Sequence, residues 1–361
     1  MVVVGCNATC SLCVDKEGNV WRMGNRKEDI EQHPVLRNIR SIACGQDHVV
    51  CLDSSGRLWS FGENNRNQLG LLSASTTYQR APVPVLKFEH KFLEVCCGTS
   101  HTVCIDLDLN CWSFGRNDRG QLGLSHFKQL THPEKIETLS NISAISACGL
   151  FTLFKDTEGY VYSTGDNSYG QLGLGNEHTA VCAPTKIPSL LSVDSISTGY
   201  THSLFLVQRA LYVCGNNKLG QLGLGTKEEN KQTIWHPIQA DSAPPAIQAS
   251  TGNHQSFVID VNGILWATGN NSHGSLGLGN TESQFSFVQV PGLSEVSILS
   301  QYYDQTIVKD LQGQIWVFGN NSRGQLGLGD FNNRLSPTPL PSEYTHIITS
   351  AEVCRVKSAT K

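Results

Sequence analysis

One turn phrase recurs along this chain at nearly constant intervals, and no other feature restricts its fold so much. Aligned on a shared glycine, the copies read WRMG ending at Gly24, WSFGENNRNQLG around Gly62, WSFGRNDRGQLG around Gly115, YSTGDNSYGQLG around Gly165, YVCGNNKLGQLG around Gly215, WATGNNSHGSLG around Gly269 and WVFGNNSRGQLG around Gly319. The spacings are 38, 53, 50, 50, 54 and 50 residues, so seven copies fill residues 1–361 and leave no room for a second domain. A unit of that size cannot bury its own apolar face and must stack on its neighbours.

Each copy has the same internal order. In the second, SIACG at 41–45 is followed by HVVCLD at 48–53, a turn over 54–56 and RLWSFG at 57–62. Short alternating runs divided by Gly, Asn and Asp predict antiparallel strands. A fourth run carries prolines: Pro34, Pro82 and Pro84, Pro133, Pro184 and Pro188, Pro237, Pro291, Pro337 and Pro339. Proline donates nothing to a ladder, so this strand is expected at the outer sheet edge. Four strands per copy, ordered outward, make a propeller blade. The expectation is an all-β, seven-bladed propeller spanning 1–361 with four antiparallel strands per blade. MVVVG at the start and THIITSA at 345–351 both suit an innermost strand, so the ring is expected to close by pairing of the N- and C-terminal segments in one blade.

Three positions follow the repeat closely. The residue three before the shared glycine is aromatic in all seven copies, Trp21, Trp59, Trp112, Tyr162, Tyr212, Trp266 and Trp316, which suits rings packed between blades. Asn64, Asn117, Asn167, Asn217, Asn271 and Asn321 stand two residues after that glycine, and Gly70, Gly123, Gly173, Gly223, Gly277 and Gly327 follow at the eighth position. Asn caps its own turn and Gly accepts positive φ, so both shape a loop. GQLGLG is not a phosphate cradle, because neither a lysine nor a strand-to-helix context follows it.

Composition narrows the function. The 34 glycines and only 16% charged residues fit a turn-rich β protein, and a net charge of -4 without a basic tail argues against nucleic acid or chromatin as main partner. The N-terminal run lacks a charged n-region and no stretch is long enough to span a membrane, so an intracellular protein, cytoplasmic or nuclear, is expected. The 13 cysteines are odd in number, and Cys44, Cys97 and Cys148 alternate with Thr198 and Thr251 before a repeat glycine. A site that accepts either residue wants a small side chain, not a disulfide.

The phrase GxNxxGQLGLG, preceded by an aromatic strand and by CGxxH, resembles the repeat of the regulator of chromosome condensation family. The resemblance covers essentially the whole chain, and the first copy departs from it, since GNRKEDIEQHPVL lacks the GQLG turn. Members include the exchange factor for the GTPase Ran, ubiquitin ligases and ciliary scaffolds, so the resemblance implies a propeller and leaves several functions open. In the Ran factor, the position just before the repeated histidine faces the GTPase. By motif match Asp47, His254 and Asp304 stand there, with Tyr200, Tyr302 and Tyr303 beside them. The reading is a protein-interaction scaffold binding a regulatory partner on this rim. Its alternative is a guanine-nucleotide exchange factor for a Ran-like small GTPase.

The repeated histidines His48, His101 and His202 belong to the same rim set. One histidine per blade is too dispersed for a zinc site, which gathers about four ligands, so each is expected to bond the backbone of its own blade. No catalytic set, cofactor motif or metal signature is present. The loop over 225–249, holding Trp235, is the one longer excursion, and Trp235 is kept as a further partner contact that could substitute for the wedge of the Ran factor.

Overall fold

The computed structural model describes residues 11–341, apart from 16, 24–29, 73–75, 86–89, 176–177 and 226–231. Every regular element among them is a strand. The first repeat forms a three-stranded sheet of β1 (Ser11–Val14), β2 (Val20–Met23) and β3 (Ile30–Gln32). The second forms a four-stranded antiparallel blade of β4 (Ile39–Cys44), β5 (His48–Asp53), β6 (Leu58–Glu63) and β7 (Tyr78–Pro84), ordered from the axis outward. Repeats 3 to 7 each build the same four-stranded sheet.

The expectation of seven four-stranded blades is therefore corrected to six, with a three-stranded sheet before them. Among the described residues the first sheet has no innermost strand, since β1 corresponds to the second strand of the other repeats. Both segments expected to fill that place and close the ring, 1–5 and 345–351, lie outside the described residues, and no strand pairing between termini is indicated. Among the described residues a side chain links the first sheet to the last blade: the Ser11 hydroxyl donates to the Gln325 carbonyl at 2.8 Å.

That contact is one of a series. In repeats 3 to 7 the residue after the position held by His101, Phe151, His202, Gln255 and Gln305 carries a hydroxyl that donates to the carbonyl of the turn Gln, or Ser, in the preceding repeat. Thr102 reaches Gln68 at 3.0 Å, Thr152 Gln121 at 2.8 Å, Ser203 Gln171 at 2.6 Å, Ser256 Gln221 at 2.5 Å and Thr306 Ser275 at 3.0 Å. The missing link falls between repeats 1 and 2, where the first copy has no GQLG turn and Val49 stands in place of the hydroxyl. Apolar packing remains there, with Leu12, Val14 and Val20 buried against Ile39, Ile42, Val49 and Cys51. At the same junction a cleft of about 300 Å³ opens among Leu36, Arg37, Asn38, Asp53, Arg57 and Trp59.

Seven of the ten prolines expected in outer strands lie there, Pro82, Pro84, Pro133, Pro184, Pro237, Pro337 and Pro339, whereas Pro34, Pro188 and Pro291 stand in the turns just after them. The shared glycine is a bulge residue with φ of 105° at Gly62, and a Cβ there would stand 2.4 Å from the Asp47 carbonyl oxygen. The aromatic position joins core clusters built by adjacent repeats, Trp59 across repeats 1 and 2 and Trp112 across repeats 2 and 3. It also does something the sequence reading missed. An Asp six residues earlier caps the turn and accepts the indole N–H: Asp15 from Trp21 at 2.8 Å, Asp53 from Trp59 at 3.0 Å, Asp106 from Trp112 at 2.8 Å, Asp260 from Trp266 at 3.1 Å and Asp310 from Trp316 at 3.0 Å. The ten cysteines among the described residues are free thiols.

Candidate functional site

The turns joining first to second strands line one face of the propeller around its axis. Each is fixed from behind by the residue after the shared glycine, whose N–H donates to the carbonyl of the rim residue. Glu63 bonds Asp47 at 2.7 Å, Asn216 Thr201 at 2.9 Å, Asn270 His254 at 2.9 Å and Asn320 Asp304 at 2.8 Å. Neighbouring turns are also tied to each other, Gln46 N–H to Thr99 O at 3.1 Å, Thr99 N–H to Gly149 O at 2.9 Å and Tyr200 N–H to Asn253 O at 3.0 Å. Such ties hold the loop residues in one arrangement.

The histidines of the predicted set lie beneath this face, not on it. His48, His101 and His202 are each 0% exposed. They do not bond the backbone of their own blade as expected. Their Nε2 atoms reach the hydroxyl of the next repeat: Thr102 at 3.2 Å, Thr152 at 3.0 Å and Ser256 at 3.0 Å. Because each hydroxyl proton already serves a turn carbonyl, the imidazole must be the donor, which assigns the neutral Nε2–H form. Burial pushes all three down to about 3, so they stay neutral across the physiological range. The CGxxH spacing follows from packing. A Cβ on Gly45, Gly98 or Gly199 would stand 2.0–2.1 Å from the histidine Cε1, so only glycine admits the ring.

Above these, the structure brings Tyr200, His254, Tyr303, Asp304 and Asp47 together at the mouth of the axis. Tyr200 is 39% exposed, and its ring meets His254 edge-on at 6.0 Å. Burial lowers the His254 imidazole below its ordinary value and the Asp304 carboxylate opposes that shift. Asp304 accepts the Gln255 amide at 2.7 Å and lies 3.3 Å from His273 Nδ1. Tyr303 is half-buried, and burial, with Cys148, Asp47, Tyr200 and Asp304 close by, pushes its phenol up. Burial and then Glu63 raise the Asp47 carboxyl. Tyr302 ends the strand Val296–Tyr302, and its side chain lies outside the described residues.

Trp235 is not part of this group. It sits in the outer strand Thr233–Gln239, so close to repeat 4 that a Cβ on Gly170 would meet its Cα at 2.8 Å. Of the excursion read over 225–249, residues 233–239 are that outer strand and 246–249 belong to the first strand of the next blade, Ala246–Thr251, while 226–231 lie outside the described residues. The sequence reading overlooked three groups here: Gln255 and His273, which flank Asp304, and Arg116. Arg116 clamps Asp118 through Nε at 2.8 Å and Nη2 at 2.7 Å and stands close enough to Tyr200 to interact electrostatically. Their signal was positional, since Arg116 and His273 occupy the turn phrase that backs the rim.

Among the described residues, no group of three or more His, Cys, Asp or Glu could hold a metal ion, and no helix is long and apolar enough to cross a membrane. The arrangement offers aromatic, imidazole and carboxylate groups on one rim, with Tyr200 the most exposed of them.

The sequence pattern described as the RCC1-like domain matches residues 1–243, and the regulator of chromosome condensation (RCC1) repeat matches 312–355. The chain is similar to the Arabidopsis thaliana ultraviolet-B receptor UVR8, 30% identical over 258 residues, covering 70% of this chain and 58% of the receptor. It is 31% identical over 257 residues to the human probable E3 ubiquitin-protein ligase HERC6, covering 66% of this chain and only 24% of the ligase. Thus the chain spans less than two thirds of the length of either relative. In fold it is similar to human WBSCR16, with a TM-score of 0.76 at 24% identity covering 86% and 84% of the two chains. It is likewise similar to Prp20p of Saccharomyces cerevisiae, with a TM-score of 0.76 at 19% identity covering 94% and 87%.

Proposed function

The chain belongs to the regulator of chromosome condensation family of RCC1-like repeat proteins, and from that premise we propose that its rim of Asp47, Tyr200, His254, Tyr303 and Asp304 docks a regulatory protein partner. The observation that carries this reading is the exposed Tyr200 ring braced edge-on by His254 over a layer of buried, neutral histidines. A rigid aromatic with a polar tip loses little entropy on contact and is the kind of residue on which interfaces concentrate binding energy. Carboxylates on either side steer the partner and set its register more than they add affinity. His48, His101 and His202 serve by holding the turns in place, and Trp235 serves the wall of its blade.

Photo-crosslinking tests the reading without presupposing the partner. With p-benzoylphenylalanine in place of Tyr200, one dominant protein adduct is expected in the cells that express the chain. The same probe in place of Leu311, which is 71% exposed on the opposite face, is expected to give none. Adducts only from position 311 would place the docking face elsewhere.

A second reading is guanine-nucleotide exchange on a Ran-like GTPase. It is favoured by the fold shared with Prp20p, a protein whose solved structure was reported with its binding properties to Gsp1p and histones. Release of fluorescent GDP from a Ran-type GTPase, measured at catalytic amounts of this chain, decides it. Release at the rate of buffer alone removes exchange and leaves the docking face standing.

A further inference from the structure

Tyr303 occupies backbone that a glycine would take without strain. In repeats 4 and 7 the strands pair one residue further into the rim hairpin, Cys148 with Phe151 and Tyr302 with Gln305, so that only two residues turn the chain, Gly149 with Leu150 and Tyr303 with Asp304, where the blades of repeats 2, 3, 5 and 6 leave three between strands. Both hairpins enter the left-handed region at their first position, with φ of 53° at Gly149 and 52° at Tyr303. Repeat 4 meets that demand with the residue suited to it. Repeat 7 places a large side chain there, whose Cβ crowds the following carbonyl.

The ring is not spent in the core, for it is only half-buried. Its electrostatic neighbours come from four repeats: Asp47 from the second, Cys148 from the fourth, Tyr200 from the fifth and Asp304 from its own. With its carbonyl also 3.0 Å from where a Cβ on Gly252 of repeat 6 would stand, Tyr303 faces several repeats at once, and interfaces place at such central points the residues that dominate binding. Strain at such a point is the kind that persists for function.

Resting on the reading of this rim as a docking face, we propose that Tyr303 is its specificity-determining contact, kept for the partner and not for the fold. The partner patch that fits is a hollow deep enough for a phenol ring, edged by Lys or Arg opposite Asp47 and Asp304. Tyr303 thereby selects among surfaces that Tyr200 alone would accept.

Tyr303→Gly, Tyr303→Asn and Tyr303→Phe, each made in the full chain carrying the photo-probe at position 200, test this through melting temperature and adduct yield together. Gly and Asn both tolerate left-handed backbone, so their melting temperatures are expected at or above that of the parent, while adduct yield falls about tenfold or more. Tyr303→Phe keeps the ring and is expected to hold yield within about threefold of the parent. A fall of more than about 3 °C in both the Gly and Asn variants would make the ring structural and overturn the proposal. Unchanged yield in those variants would overturn it too, leaving the docking face intact. No adduct from the parent itself would sink the docking face and this proposal with it.

Discussion

Mild acid should loosen this propeller, and the buried histidines set the size of the effect. His48, His101 and His202 are fully buried and held down to about 3. Unfolded, each imidazole titrates near its ordinary value of about 6.5. A folded value below the unfolded one means that the unfolded chain takes up the proton first. Stability is then complete above the unfolded value and lost as pH falls toward the folded one. Between pH 7 and about 5.5 each histidine removes about 1.2 kcal/mol, so the three together remove about 4 kcal/mol. Glu94, which burial pushes up to about 7, runs the other way. Its folded carboxyl holds a proton that the unfolded one has shed, returning at most about 1.5 kcal/mol over the same interval. The comparison that isolates the histidines is the triple variant H48Q, H101Q and H202Q, since Gln255 and Gln305 already fill the same position in repeats 6 and 7. Urea unfolding followed by tryptophan fluorescence at the two pH values should show the wild type losing about 4 kcal/mol more than the triple variant on acidification. Equal losses in the two proteins would refute the claim that these rings are kept neutral by burial.

Two further outcomes follow from the repeat chemistry. Asp106→Ala frees the Trp112 indole and two turn amides, and should lower stability by about 1–3 kcal/mol in the same urea assay. Burial alone would raise the Asp106 carboxyl, but the indole and amide donors outweigh it and hold it below its ordinary value. Its contribution is therefore present above about pH 4 and fades as pH falls through the folded value, so D106N should flatten the acid limb of the stability curve there. Gly98→Ala places a Cβ 2.0 Å from the His101 Cε1 and should cost about 3 kcal/mol. Most of that cost should vanish in an H101A background, and a double-mutant cycle showing no coupling would separate the glycine from the ring.

The repeat phrase carried most of the fold into view, because each of its residues has a local job that leaves little choice. Asn117, for instance, accepts the Leu122 N–H at 3.0 Å and donates to the His126 carbonyl at 2.8 Å, which is the turn cap its spacing foretold. The predicted positive φ at Gly173 and Gly223 is present, at 69° and 65°. The count of complete blades was misjudged because the shortened first copy still ends in an aromatic strand and glycine, and those say nothing about whether an innermost strand precedes them. The histidines were misplaced for a different reason. A histidine beside a turn reads alike whether its ring points to solvent or into the wall, and the discriminating signal was the Thr or Ser that follows it one repeat later. Tyr303 was read as a rim residue from its motif position, but its backbone conformation was not legible there: repeat 7 has as many residues in this hairpin as the other copies, and the left-handed φ arises because Tyr302 pairs with Gln305 and leaves a two-residue turn without glycine.

The circumferential bonds also say where the molecule would give way. A circular series of repeats is commonly weakest between its first and last members, yet here Ser11 bonds repeat 7 as Thr or Ser bonds the preceding repeat elsewhere. The omitted rivet lies between repeats 1 and 2, beside a cleft and with Val49 where a donor would be. Pulled or warmed, this wheel should split first at that spoke, an internal hinge written by one truncated turn, and amide exchange in β4 and β5 would register the opening before it reached the other blades.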